Sequence, residues 1–490
     1  MKTGKKAILR AGFVLALMLL LSGQQTWANY LRVTNVSYVQ AAGTVTFDLQ
    51  WDNSWRVDAM GAPFNWDAAW TFVKWRECGA PASDPWVHGK IDPNGATNSF
   101  GTLAPHAEGF PGGFYPDSNG VMLRRPANGI FPSAGPTSIT FTLANFPATG
   151  DYDVRVFGIE MVYITEGEFL IGNSSAESFR FHSGNNPILI TSEAAQTITS
   201  SASSTNSSVA LAAAFPKGHG AFYMMKYEIS QGQYAEFLNT IPSTAQPIRF
   251  LMNGVTSLFN NDRNRLNNTA APPDIYWSDR PDRAQNHLSW ADVAAYLDWS
   301  ALRPFTELEY EKAARGQAGA IPFEYSWGTP NITQAQQLST PEDGTETVLT
   351  ANANCHYGNV AITGGDGGRG PVRVGIFATP TTSTREATGA GYYGVMELTG
   401  NVIEQCINVS NQTCATCAVP YDAQVGDGYL DAGGFANVAN WPVNTGAIQG
   451  RALRGGGWSL GTGNSYLAYR GQAFTTSQSR IDYYGGRGAR

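Results

Sequence analysis

The residues with the greatest chemical potential in this chain are five cysteines, six histidines and two glycine-rich motifs. Gly457-Trp-Ser-Leu-Gly461 has the Gly-x-Ser-x-Gly form of a hydrolase nucleophile elbow, which requires an acid and then a histidine later in the chain. The last histidine is His356, so this serine has no base and a serine hydrolase is rejected. Gly365-Asp-Gly-Gly-Arg-Gly370 has Gly-x-Gly-x-x-Gly spacing. A strand-like run, Pro371-Val-Arg-Val-Gly-Ile-Phe377, follows where a dinucleotide site needs a helix N-terminus, so the motif reads as a turn.

Cys406, Cys414 and Cys417 cluster, whereas Cys78 and Cys355 stand alone. Cys414-Ala-Thr-Cys417 sits in a polar Asn/Thr-rich stretch and not at a helix start that would activate a thiolate. A structural disulfide within the cluster is the favoured reading, with zinc second because no fourth ligand is evident. The histidines show neither His-x-His nor His-x3-His spacing, which argues against an iron site.

Five segments occur in a fixed order: Met161-Val-Tyr-Ile-Thr-Glu-Gly-Glu-Phe-Leu-Ile-Gly172, Phe222-Tyr-Met-Met-Lys-Tyr-Glu-Ile-Ser230, Arg303-Pro-Phe-Thr-Glu-Leu-Glu-Tyr-Glu-Lys-Ala-Ala-Arg-Gly316, Gly394-Val-Met-Glu-Leu-Thr-Gly-Asn-Val-Ile-Glu404 and Arg454-Gly-Gly-Gly-Trp458. Arg470, Arg480 and Arg487 follow. The series closely resembles the formylglycine-generating enzyme family, also called the sulfatase-modifying factor domain. The resemblance implies an α+β, loop-rich, C-type-lectin-like fold. It also implies oxidation of a sulfatase cysteine with O2 and copper held by two cysteines shortly after the Gly-Gly-aromatic segment.

The matching stretch here, Ser459-Leu-Gly-Thr-Gly-Asn-Ser-Tyr-Leu-Ala468, has no cysteine. Leu, Ser or Tyr cannot replace a thiolate pair as soft ligands for Cu(I), so copper is not expected. By position, the family's calcium loop falls on the side chain of Glu397, the carbonyls of Gly400 and Val402, and Glu404; hard oxygen donors from a tight turn suit Ca2+. A looser match places a second calcium site on Asn354, the carbonyl of Cys355, Asp366 and the carbonyl of Gly368. The C-terminal arginines are expected to pair with carboxylates such as Glu307, Glu309 and Glu311.

Around these sites the chain divides into three parts. Residues 1–28 are basic and then apolar over 11–21, the pattern of a secretory signal peptide too short to span a bilayer. Residues 29–157 read as an all-β, sandwich-like domain from their alternating and β-branched runs. Residues 158–490 carry the family resemblance. Within 29–157, Trp51, Trp70 and Trp75 lie in strand patterns and are expected in the core, whereas Trp55 and Trp66 are the candidates for an exposed aromatic surface. In the last part, Ser230 with Gln233, Ser289, and Thr306 with Glu309 mark three helix starts, and Gly316 a stop. The Ser/Ala/Thr tract at 197–213 reads as an ordered surface strand and loop.

Composition narrows the function. A net charge of -7 with only 14% charged residues offers no basic stripe for nucleic acid. The expectation is an exported protein, secreted, periplasmic or on the cell surface, that binds a protein or glycan without catalysis. Contacts are expected from Trp458, Ser459, Asn464, Tyr466 and Tyr483, whose aromatics alternate with small polar residues. The competing expectation is an oxidase of the same family that draws its thiol from Cys406.

Overall fold

The computed structural model describes residues 31–132, 134–174, 177–201, 206–250, 261–409, 421–442, 450–473 and 475–490. The expected signal segment lies outside these residues, as do Cys414 and Cys417 of the cluster expected to hold a disulfide.

Strands β1 (Arg32–Val39), β2 (Thr44–Gln50) and β5 (Thr137–Thr142) form an antiparallel sheet in the order β1-β2-β5. Strand β2 alternates in burial because one face only meets the core. Its inward residues Val45, Phe47 and Leu49 join Ile139 and Phe141 in packing on Ala69, Val73, Val121, Leu123 and Val156 of a second sheet. Two sheets face to face are the sandwich arrangement.

The second sheet is built on β3 (Asp67–Glu77), flanked by β4 (Val121–Arg124) and by β6 (Tyr152–Ile164). Its first eight residues are all buried, in contrast to the alternation of β2. Both faces are covered. Ala69 and Val73 meet the first sheet, while Phe72 makes an edge contact of 5.3 Å with Trp299 from the C-terminal half. Trp70 Nε1 also donates to the carbonyl of Ser300 at 2.8 Å.

Strand β6 crosses the junction expected at 157/158. It pairs with β3 from Tyr152↔Glu77 to Val162↔Asp67, and then with β7 (Phe222–Met225) from Met161↔Met225 to Ile164↔Phe222. The two halves therefore share one continuous sheet.

The C-terminal half is α+β and loop-rich, with helices α1 (Gln231–Asn239), α2 (Trp290–Trp299) and α3 (Glu307–Arg315). All three begin with a capping box: Ser230 with Gln233, Ser289 with Asp292, and Thr306 with Glu309. Gly316, at φ 62°, ends α3. Every residue of α2 is buried, which makes it the central strut. Strands Gln196–Ser201 and Asn206–Leu211 pair antiparallel, with Ile198 opposite Val209.

Buried ion pairs lock the loops. Arg454 bridges Glu307 and Glu311, Arg470 binds Glu307 at 2.6 Å, and Arg303 binds Glu309. Arg480 pairs with Asp292, and Arg487 with Glu404. The arginines are thus engaged by carboxylates as expected. Burial alone would raise the Glu307 carboxyl, but Arg470 and Arg454 hold it below its ordinary value.

The tryptophans separate differently from the expectation. Trp51 and Trp70 are fully buried as expected and Trp75 is half-buried, but Trp66 is buried too, stacking on Tyr163 at 4.0 Å and donating to Tyr223 Oη at 2.8 Å. Trp55 is half-buried beneath Lys226, 4.8 Å from its ring. Neither forms a free aromatic surface, because both pack against residues of the C-terminal half.

Candidate functional site

The 397–404 loop reverses the chain through three left-handed residues: Glu397 at φ 50°, Gly400 at 82° and Asn401 at 55°. Gly400 is required here twice over, since a Cβ would also lie 2.3 Å from Cys355 Sγ. Asn401 fastens the turn: its Oδ1 accepts from Val372 N at 2.9 Å and its Nδ2 donates to Glu228 at 2.6 Å. The other Glu228 oxygen accepts from Val402 N at 2.9 Å.

This places three buried carboxylates, Glu228, Glu397 and Glu404, within electrostatic reach of one another. Glu397 Oε1 accepts from Gly375 N at 2.9 Å, and Glu404 Oε1 accepts from Arg487 Nε at 2.6 Å. The second oxygen of each, Glu397 Oε2 and Glu404 Oε2, is buried with no hydrogen-bond partner. Burial pushes Glu397 and Glu404 each up to about 7 and, together with the charge of Glu397, holds Glu228 well above the usual carboxylate range. Arg487 is committed to Glu404 and to the carbonyls of Met225, Lys226 and Met396.

The chemistry of this donor set fits a hard cation. Two buried carboxylate oxygens are unsatisfied, and orphaned buried polar atoms are costly. Among the described residues no three His, Cys, Asp or Glu side chains converge as a ready metal cluster. A cation here would therefore draw on backbone oxygens as well, such as those of Gly400 and Val402.

The second expected cation set does not fit. Asp366 is held by Arg280 and Arg283 at 2.7 and 2.9 Å. Burial would raise its carboxyl, yet the two guanidinium groups bring it down to about 2. Asn354 Oδ1 accepts from Thr333 N, the Cys355 carbonyl from Ala335 N, and the Gly368 carbonyl from Ile362 N. All four groups already serve other networks.

The C-terminal segment also differs in detail from its expected role. Trp458 is buried, with its indole donating to the Asp482 carbonyl at 3.0 Å and its backbone amide to Asn401 at 2.7 Å. It supports the 397–404 loop and offers no contact surface. Ser459, Asn464, Tyr466 and Tyr483 are half-buried at the surface. Tyr466 packs on Tyr325 and Phe323 at 5.2 and 5.3 Å, and Tyr483 meets Tyr484 edge-on.

All three described thiols lie above the ordinary thiol range. Cys355 and Cys406 are buried, and burial pushes both well above the ordinary thiol range. Cys355 Sγ donates to the Thr399 carbonyl at 3.2 Å. Cys78 is exposed, but residual desolvation and the neighbouring Asp153 raise it as well. Soft Cu(I) needs thiolates, and residues 459–468 supply none.

Two participants escaped the sequence reading. Glu228 lies in the Phe222-Ser230 motif, whose Lys-Tyr-Glu run follows a buried apolar strand; a charged run in that position is the available signal. Lys226 in the same run binds Glu160 at 3.0 Å and Asp67 at 3.4 Å, joining the two halves.

Comparison with known proteins agrees with this architecture. The family described as "Sulfatase-modifying factor enzyme 1-like domain" matches residues 153–490. Formylglycine-generating enzyme of Thermomonospora curvata is 31% identical over 146 residues, covering 28% of this chain and 40% of that protein. The Bos taurus protein of the same name is 27% identical over 205 residues, covering 38% and 48%. The matched segments thus span less than half the length of these two relatives. Among solved structures, PvdO from Pseudomonas aeruginosa is similar over 68% of this chain and 94% of that one, at 20% identity and a TM-score of 0.34. Treponema denticola variable protein 1 covers 68% and 95% at 13% identity, with a TM-score of 0.33. With its motifs matched from within β6 to the last residue, the chain belongs to the sulfatase-modifying factor enzyme 1-like family.

Proposed function

We propose that this chain is an exported, non-catalytic member of its family that recognises a ligand or partner through the surface around Ser459, Asn464, Tyr466 and Tyr483. The observation that carries this reading is the thiol inventory. Residues 459–468 contain no cysteine, and burial pushes the Cys355 and Cys406 thiols well above their ordinary range. Export rests on the basic and apolar start of the sequence.

Calcium belongs to this reading as a structural ion. Glu397 and Glu404, with the carbonyls of Gly400 and Val402, would hold it. When bound it supplies positive charge to a buried acidic cluster and so tightens the loop on which Trp458 rests. The residues themselves fix the turn: Asn401 and Glu228 clamp it, and Arg487 aligns Glu404.

A competition titration with a chromophoric Cu(I) chelator tests the reading. The full chain should leave the chelator's copper in place. Withdrawal of one equivalent of Cu(I) would favour the competing reading, a formylglycine-generating oxidase that uses Cys406.

A further inference from the structure

A groove of about 1140 Å3 opens between the 347–354 segment and the 376–387 segment, and none of its lining residues belongs to the 458–483 surface. Its floor is apolar, with Ile376 and Phe377 buried. Its walls carry threonine, serine and asparagine side chains. No Lys, Arg or His lines it, and the one acid, Glu386, is occupied by Thr329 at 2.6 Å and by Asn331.

The distribution of hydrogen-bonding groups is specific. Main-chain amides along both walls are already used: Thr347 N on Ser339 Oγ, Leu349 N on the Gln337 carbonyl, Asn354 N on the Thr333 carbonyl, and Thr379 N on Thr382 Oγ1. A peptide added as a strand needs such main-chain groups. The side chains of Thr333, Thr347, Asn352 and Ser383, by contrast, meet no hydrogen-bond partner among the described residues, and all four are exposed. Hydroxyl and amide groups both donate and accept, so an uncharged ligand rich in hydroxyls is their complement. The volume exceeds the 300–1,000 Å3 or so typical of small-molecule sites, which fits an oligomer.

We propose that this groove binds an uncharged oligosaccharide, with Thr333, Thr347, Asn352 and Ser383 contacting its hydroxyls and the exposed Leu349 meeting its C–H faces. The site is independent of the C-terminal surface.

The test is saturation-transfer NMR and calorimetry on the full chain with cellohexaose, maltohexaose and chitohexaose. Heparin hexasaccharide serves as the charged control, and a neutral Gly-Ser hexapeptide as the peptide control. At least one uncharged hexasaccharide should bind and the heparin fragment should not. The triple variant T333A/N352A/S383A should weaken that binding at least about tenfold. Ser383→Trp, which fills the groove, should weaken it likewise. Both variants should melt as wild type, because the replaced side chains are exposed and make no internal bonds. N464A should bind normally. Absence of binding by all three uncharged sugars, undiminished binding by the triple variant, or tighter binding of the peptide would overturn the proposal.

Discussion

Arg487 Nε donates to Glu404 Oε1 at 2.6 Å with both side chains out of reach of solvent, yet Glu404 Oε2 still has no partner. Glu397 Oε2 is likewise buried and unpaired, so Arg487 leaves two carboxylate oxygens that a second cation would satisfy.

Calcium should therefore raise the melting temperature of the metal-free protein. An ion that binds only the folded state stabilises by about 2.7 kcal/mol at a hundredfold excess over its dissociation constant. Glu397→Gln, which leaves the Arg487 pair intact, should abolish most of the calcium-induced rise. Calorimetry of EDTA-treated and calcium-loaded samples decides the matter, and identical melting curves would remove calcium from the account.

Glu307 is bound by both Arg454 and Arg470, all with no solvent exposure. Arg470→Met should destabilise the fold by about 3–5 kcal/mol, because it leaves part of a buried charge uncompensated. Urea unfolding measures this. A loss below about 1 kcal/mol would mean that Arg454 alone satisfies the carboxylate.

At the seam between the halves, Trp66 donates to Tyr223 Oη, which in turn meets His106 Nδ1 at 2.7 Å. Burial and then the charge of Arg124 lower the His106 imidazole from 6.5 to about 4. The unfolded chain thus takes up the proton first as pH falls. Stability should drop between pH 6.5 and 4 and change no further through this group below that. His106→Asn, which can still accept from Tyr223, should flatten that part of the profile; an unchanged slope would exclude His106 as its source.

Local rules made much of this structure legible. Ser230 with Gln233 and Thr306 with Glu309 announce helix starts because the capping bonds span only three residues. The alternation of β2 likewise reveals its buried face. What stayed hidden depends on distant partners. Trp66 reads as a loop tryptophan until Tyr163 and Tyr223 cover it. Glu228 meets Val402 across 174 positions, so local spacing shows a charged run after a strand but not the loop it clamps. Asp366 fits a cation motif in sequence, but Arg280 and Arg283 claim both its oxygens in the fold.

Catalysis is tested most directly with the purified chain, Cu(I), O2 and reductant on a Cys-x-Pro-x-Arg peptide, followed by mass spectrometry. Because residues 459–468 carry no thiol, the peptide should be recovered with its cysteine unconverted to formylglycine. Turnover to the aldehyde, lost in the Cys406→Ala variant, would contradict the account and establish the chain as an oxidase with a relocated thiol.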